Sequence, residues 1–295
     1  MTPFPPIPVN QDLLSKLNSA TKYPSIETYH KLERGKPLPE VQVSLEGSEV
    51  LLTEKVDGTN SRIIILPSGV KAEYLIGSRE DLLHAYGDVI YNPAQGIVEA
   101  VKGVADKCLK RAWESGAFDH LAVTVLFGEV YGGHVTPAGK FYSKGGSVGF
   151  RVFDAIEMEW EAFEKLLKGK SREDVARWRD GGGQPFVSEE RLQEIAADIE
   201  VPLTPRLVGT NLPPVGVKET HEWLKGVLPE SMAILDERGK GKPEGVVVRT
   251  RDRSKITKIR FEDSFRGLRE GRAVSDTDPH IQHLRTGTHG ECIWT

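Results

Sequence analysis

Cysteine is almost absent from this chain. Its two cysteines, Cys108 and Cys292, form no Cys-x-x-Cys pair. That excludes a disulfide framework and a paired-thiol motif, and it fits a reducing compartment. No apolar run approaches the ~20 residues of a membrane span. Residues Met1 to Val9 carry Pro3, Pro5, Pro6 and Pro8, without a basic start or a long apolar stretch. They do not read as a signal peptide, and a cytoplasmic setting without membrane attachment is expected. Net positive charge is also lacking: the formal charge is −4. Broad, sequence-independent duplex binding needs basic surface, so any nucleic-acid contact has to be local. The chain does have apolar material, 38% of 295 residues. That suffices for a large core in one large domain or two modest ones.

The stretch Lys55-Val56-Asp57-Gly58-Thr59-Asn60 stands out. It follows the apolar run Val50-Leu51-Leu52 and precedes another, Arg62 to Leu66. A strand, a tight turn and a second strand is the simplest reading, with Asp57-Gly58 as the turn pair. A lysine before such a turn is held by rigid elements, where an aimed nucleophile belongs. An exposed lysine on a hairpin is the alternative.

The rest of the chain alternates strand and helix patterns. A short helix is expected over Asn10 to Leu17. Residues 21–48 read mostly as loop, with Gly35-Lys36-Pro37 as a break. Strands are expected over 49–55, 61–66 and 70–77, with Pro67-Ser68-Gly69 as a turn and Arg79 at the end. In 96–114, Ile97, Val101, Val104, Cys108, Leu109 and Trp113 recur at helical spacing. Cys108 is then a buried apolar residue and not a redox centre. Leu121 to Val130 reads as a buried strand carrying Glu129, a carboxylate that needs a partner there.

Glycines make 132–147 a mobile loop with Lys140 and Lys144 available. In the next strand, 148–156, alternation puts Phe150 and Val152 on one face, opposite Arg151 and Phe153. Helices follow over Trp160–Leu167, Arg172–Arg179 and Ser188–Ile199, with Ser171 and Asp174 positioned for a capping box. A short helix, Thr220–Val227, and a basic loop, Gly239–Pro243, precede strands 244–250 and 256–261. Arg249, Arg251, Arg253 and Lys255 alternate, so an extended strand would put them on one face, for phosphates or simply for solvent. The 34 residues after Phe261 read as a short helix and a loose tail, and His280, His283, His289 and Cys292 match no familiar zinc spacing.

Five segments fall in a telling order: Lys55 to Asn60, Phe127-Gly128-Glu129-Val130-Tyr131-Gly132, Phe150-Arg151-Val152-Phe153-Asp154, Glu244 to Arg249, and Lys258-Ile259-Arg260. They resemble the collinear motifs of the covalent nucleotidyltransferases: DNA ligases, RNA ligases and mRNA capping enzymes. Glu54, Asn60 and the stretch Tyr23-Pro24-Ser25-Ile26-Glu27 make the chain most similar to the RNA ligase 2 family, from about Tyr23 to Phe261.

The resemblance implies an α+β fold, two packed, mainly antiparallel sheets flanked by helices, as in a nucleotidyltransferase or ATP-grasp-like ligase domain. This domain would span 1–265, with a helical insertion at about 158–200 and a short tail, 266–295. Thirty-four residues are too few for a C-terminal OB barrel.

The resemblance also implies an ATP-dependent RNA ligase that seals 5′-phosphate and 3′-hydroxyl RNA ends through a lysyl-AMP intermediate, with Mg²⁺ or Mn²⁺. Lys55 would be the nucleophile, with Lys258 and Arg260 beside the phosphates. Glu54, Asn60, Arg79, Glu129, Phe150, Glu244 and Lys258 would bind the nucleotide, Phe150 by stacking on adenine. Asp57, Glu129 and Glu244 would serve the metal. Burial and the nearby cations would lower the Lys55 pKa from its usual ~10.4.

The implied partners are RNA and an accessory end-healing or nucleic-acid-binding protein, with the chain itself a monomer. One motif departs from the family, which usually has two lysines where this chain has Lys258 and Arg260. Arginine keeps the charge but does not change protonation. A DNA ligase or an mRNA guanylyltransferase is the alternative within the same chemistry. A nucleotide-binding relative without catalysis is the alternative outside it.

Overall fold

The structure is a computed structural model that describes residues 11–68, 71–85, 96–114, 122–207, 211–237, 239 and 241–263. The proline-rich lead, the expected tail with its histidines and Cys292, and the side chain of Trp113 lie outside the described residues.

Helix α1 (Gln11–Ala20) is followed by strands β1 (His30–Glu33) and β2 (Lys36–Val41). Strands β3 (Val50–Lys55), β4 (Thr59–Ser68), β5 (Lys71–Ser78) and β6 (Leu82–Ala85) come next. Helix α2 (Ile97–Glu114), β7 (Ala122–Gly132), the one-turn α3 (Gly139–Tyr142) and β8 (Val148–Glu159) complete the middle of the chain. Helices α4 (Trp160–Gly169), α5 (Arg172–Asp180) and α6 (Glu189–Asp198) precede β9 (Arg206–Leu207), α7 (Val217–Val227), β10 (Gly245–Thr250) and β11 (Ile256–Arg260).

Three sheets result: β6-β5-β4-β7-β8, β11-β10-β3-β9 and the pair β1-β2. Every strand pairing is antiparallel. The expected two sheets are thus joined by a third, a hairpin within residues 21–48 that the glycine break concealed. Arg34 and Gly35 both take positive φ (50° and 78°), and a left-handed pair of this kind closes a two-residue hairpin. Gly35-Lys36-Pro37 is therefore a turn running into a strand. Pro37 is tolerated in it because each strand of a two-stranded sheet has a free edge.

The hairpin expected around Lys55 is corrected in the same way. β3 lies in the four-stranded sheet and β4 in the five-stranded one. Val56-Asp57-Gly58 is therefore a crossing between sheets. Gly58 is needed there for close approach and not for a positive φ: a Cβ would lie 2.2 Å from the Val130 carbonyl oxygen.

Three apolar clusters hold these layers. One face of the five-stranded sheet (Ile63, Ile76, Leu126, Val152) packs on Ile97, Val101 and Cys108 of α2 and on Leu192 and Ile195 of α6. The other face (Ile64, Val125, Phe127) packs on Leu13 and Leu17 of α1 and on Trp160 and Phe163 of α4. The four-stranded sheet buries Leu52, Val246, Val248 and Ile259 against Leu224 of α7. Alternation along each strand assigns these faces, as period-2 patterning requires. Burial pushes the Cys108 thiol up to about 12, which leaves it inert. The Ser171–Asp174 capping box forms and starts α5.

The segment 132–147 is packed and hydrogen-bonded, and the mobile loop expected there is not what the structure shows. Tyr142 is fully buried, and its hydroxyl accepts from the Asp57 amide at 2.8 Å. The Asp236 carboxylate accepts from Ser143 Oγ (2.7 Å) and from the amides of Lys144 and Gly145 (3.0 Å each). Among the described residues, no helix is long and apolar enough to cross a membrane.

Candidate active site

Strand register builds the site. In the four-stranded sheet, Gly245 pairs with Lys55 on one side and Arg260 on the other, and Val247 pairs with Thr53 and Lys258. Directly paired residues share a face, and so do residues two apart. Lys55, Thr53, Val247, Arg249, Lys258 and Arg260 therefore project from one face, opposite the apolar cluster. In the five-stranded sheet, Asn60 pairs with Glu129. A cleft of about 410 Å³ lies between the two sheets. It is lined by Thr53, Lys55, Val247, Arg249 and Lys258 from one side and by Asn60, Glu129, Phe153 and Asp154 from the other. Tyr23, Pro24 and Ile26 line it from the segment after α1, and Arg79 from the end of β5. That volume lies in the range of small-ligand sites.

The electrostatics centre on Lys55. Its Nζ donates to Glu244 Oε2 at 2.5 Å, with both side chains largely buried. Burial pulls the ammonium's pKa down, but Glu244, Glu129 and Asp57 outweigh it, and the net direction is up. This corrects the expected lowering: three carboxylates face Lys55 more closely than its fellow cations do. The lowered lysine is Lys258, through burial and then through Arg260 and Lys55. Burial raises Glu129 to about 8; Lys55 opposes the shift while Glu244 and Asp57 add to it. Burial likewise raises Glu244. The Asn60 side-chain oxygen is buried and has no hydrogen-bond partner among the described residues.

Several expected site residues stand elsewhere. Phe150 pairs with Val130, in the row next to the Glu129–Arg151 pair, so it faces away from the cleft into the cluster under α2. Its ring covers Gly128, where a Cβ would come within 2.2 Å of it. The aromatic at the cleft is Phe153, on the face of Arg151 and opposite Phe150, as alternation places it. β8 bulges there, since Phe127 pairs with Asp154 but Gly128 pairs with Val152, and the extra residue brings Asp154 to the same face. Phe153 meets Tyr23 edge-on, at 5.0 Å between ring centres.

Glu54 follows Lys55's neighbour row onto the opposite face. Its carboxylate accepts from Ser231 Oγ and, at 2.7 Å, from the Met232 amide. Its carboxylate therefore anchors the 231–233 segment, while the residue still lines the cleft beside Lys55. Arg260 shares Lys55's row, but its guanidinium is forked onto Asp263 at 2.8 and 2.7 Å. Arg79 lines the cleft's edge and is mostly exposed, with Glu80 at 3.7 Å.

The alternating basic run does not form one face. β10 ends at Thr250, and residues 251–255 turn. Arg249 is buried against Asp154 (3.2 Å) and Glu189. Arg206 also pairs with Glu189, at 2.9 Å. Arg253 pairs with Asp154, donates to Tyr23 Oη at 2.9 Å and lies 3.2 Å over the Phe186 ring. Arg251 reaches Glu49 and Glu190, and Lys255 reaches Ser48 Oγ. The sequence offered Asp154 at the end of a motif but no sign of its side-chain partners Arg249, Arg253 and Tyr23, which lie 95 to 131 residues away.

A lysine placed where the chain crosses between two antiparallel sheets, facing carboxylates in a shared cleft, is the architecture of a polynucleotide-ligase-type nucleotidyltransferase. The chain belongs to the RNA ligase family, whose model matches residues 48–264. Among solved structures it is similar to the Naegleria gruberi RNA ligase with PPi, at TM-score 0.52 and 13% identity, over 85% of this chain and 59% of that one. An arginine-to-alanine mutant of the same enzyme, with ATP and Mn, gives TM-score 0.50 and 14% identity, over 82% and 56%. The chain spans less than two thirds of that enzyme's length. A search of curated proteins gave no match.

Proposed function

We propose that the chain is an ATP-dependent RNA ligase that joins 5′-phosphate and 3′-hydroxyl RNA ends through lysyl-AMP on Lys55. The observation that carries this reading is the buried contact of Lys55 Nζ with Glu244, 2.5 Å long, in a cleft that also presents Lys258, Glu129 and the unpaired Asn60 oxygen. Family membership and the solved relative with ATP and Mn support it.

In this reading the neutral Lys55 amine attacks the α-phosphorus of ATP. An N–P bond forms, the bond to the β-phosphate oxygen breaks, and pyrophosphate leaves. Glu244 stands within hydrogen-bond reach to take the ammonium proton. Lys258 is placed to meet charge developing on the α-phosphate oxygens. Asn60 and Glu129 would hold the nucleotide, and Phe153 with Tyr23 would flank the base. AMP then passes to a 5′-phosphate, a 3′-hydroxyl displaces it, and a phosphodiester forms.

A divalent cation fits this donor set, because Glu129 and Glu244 are carboxylates whose charged forms burial disfavours and a cation would restore. Among the described residues, no three carboxylates converge on a ready-made metal site. That suits Mg²⁺ or Mn²⁺, which keep waters and take substrate phosphates as ligands. Asp57, Glu129 and Glu244 would hold the ion, which supplies positive charge beside the lysine and the phosphate.

The test is incubation with α-labelled ATP and Mg²⁺, followed by denaturing electrophoresis. A labelled band lost in Lys55→Ala establishes the adduct, and nicked RNA and DNA then compete as acceptors. No band from folded, unadenylylated protein overturns the reading in favour of a binding relative.

A further inference from the structure

A second cleft, of about 390 Å³, opens beside the first and shares Tyr23, Pro24 and Arg79 with it. Its charged groups are arranged asymmetrically. Arg79 stands exposed at the edge and Glu27 also lines the cleft, while two of its cations form the floor: the Lys22 side chain is 19% exposed and that of Arg179 14%. Their acidic partners form the rim: Glu80 is 66% exposed and Asp180 57%. Lys22 Nζ contacts Glu80 at 2.6 Å, and Arg179 forks onto Asp180 at 2.8 and 2.9 Å. Arg179 is also fixed by the Ser19 carbonyl at 2.9 Å. Exposed ion pairs are worth little in water. The rim carboxylates can swing out at small cost while the floor stays in place.

A fourth cation, beyond Lys22, Arg79 and Arg179, lies behind the wall. Arg62 is fully buried, and among the described residues no carboxylate contacts it. Its guanidinium donates to the Arg79 carbonyl (3.2 Å) and to Asn18 Oδ1, and its Nε has no partner. Burial lowers its pKa to about 10, so it remains charged at neutral pH. Glu80 and Asp81 feel this charge from the cleft side. An interior cation hydrogen-bonded only to neutral groups is costly, and Arg62 adds its positive charge to that of Arg179 beside the cleft.

We propose that this Lys22–Arg79–Arg179 cleft binds backbone phosphates of the polynucleotide acceptor, leading its end to the adenylylated lysine. The proposal rests on the ligase reading and names where the nucleic acid runs. A net-acidic chain needs such a local track, since its average surface repels phosphate. The shared chemistry is phosphate, and the second source of phosphate is the β,γ end of ATP.

Binding of a fluorescent, 5′-phosphorylated single-stranded RNA to the full chain is followed by anisotropy across a salt series. Labelled ATP reports the Lys55 adduct in parallel. Lys22→Gln with Arg179→Gln should weaken RNA binding about tenfold and reduce the slope of log affinity against log salt by about 2. Glu80→Gln with Asp180→Asn should tighten RNA binding severalfold. Neither pair should change the KM for ATP.

Unchanged RNA affinity and salt slope in both pairs overturn the proposal and leave the adduct chemistry standing. So does a tenfold rise in the KM for ATP with RNA binding intact, which assigns the cleft to nucleotide phosphates. If the wild-type chain makes no adduct but RNA binding follows the variants, the ligase reading fails and the cleft stands. If the floor variant does not fold, the rim variant decides, since its residues are exposed.

Discussion

Lys55 and Asn60 are five residues apart and belong to different sheets: Lys55 pairs with Gly245 and Asn60 with Glu129. The chain leaves one wall of the cleft and enters the other within three residues. Lys55 and the Asn60 amide oxygen, which has no hydrogen-bond partner among the described residues, are thereby fixed on opposite sides of the cleft by the backbone itself.

That crossing depends on Gly58. In Gly58→Ala the new Cβ meets backbone at 2.2 Å, with Glu129 and Tyr131 atoms at 2.9 Å. Backbone cannot yield as a side chain can, so the crossing has to shift. We expect a loss of about 1–3 kcal/mol in denaturant unfolding and a drop in adduct formation of at least about 100-fold. A variant with wild-type adduct rates would show that the crossing tolerates displacement.

The two phenylalanines of β8 separate packing from binding. Phe150→Ala should cost about 3–5 kcal/mol of stability and leave the KM for ATP of the folded fraction nearly unchanged. Phe153→Ala should raise that KM about fivefold or more with a much smaller fall in Tm. The opposite pattern would place the base against Phe150.

This pair also shows where sequence ran out. The strands around Lys55, the α2 face, the α5 capping box and the order of the motifs were legible, because each rests on local periodicity or spacing. Counting by two separates Phe150 from Phe153; what it misses is Asp154, which a bulge without a local signature brings to the face of Phe153. Arg249 looked like one of four alternating surface cations. It is buried because Asp154 and Glu189, distant in sequence, converge on it. Glu54 and Lys55 are neighbours in sequence with opposite faces. Motif spacing put both in one site; the pleat separates their side chains.

Glu244 sets the protonation of Lys55. Replacing it by Gln removes the largest influence raising the lysine's pKa, so the neutral amine should appear at lower pH. The midpoint of the pH profile for adduct formation should move toward acid, while the plateau falls because the proton acceptor is gone. The profile measured for Glu244→Gln beside wild type checks this. An unmoved midpoint would mean that Glu129 and Asp57 govern the lysine.

Glu129 makes stability depend on pH. Its folded pKa, about 8, lies above the ordinary carboxylate value of 4.5. A raised folded pKa stabilises fully below the unfolded value and is lost as pH rises through the folded one. Without added divalent metal, stability should therefore decline between about pH 4.5 and 8, by at most roughly 5 kcal/mol from this group. Glu129→Gln should flatten that decline in urea unfolding at several pH values. Mg²⁺ should raise wild-type stability most at the alkaline end, and a slope that survives in Glu129→Gln would place the titration on another group.

The pairing of Glu189 with both Arg206 and Arg249 bears on the modularity of the chain. By sequence the helical stretch at about 158–200 reads as an insertion within the same domain. Yet α6 supplies the carboxylate that neutralises a guanidinium 4% exposed on the cleft wall, and Asp154 joins that same guanidinium to Arg253 and Tyr23. Excision would leave Arg249 and Arg206 without Glu189, in a wall whose remaining acid is already shared. The helices are thus an integral part of the nucleotide cleft, and shortening them or transplanting the cleft without them would dismantle the wall on which Thr53, Val247 and Lys258 are arrayed.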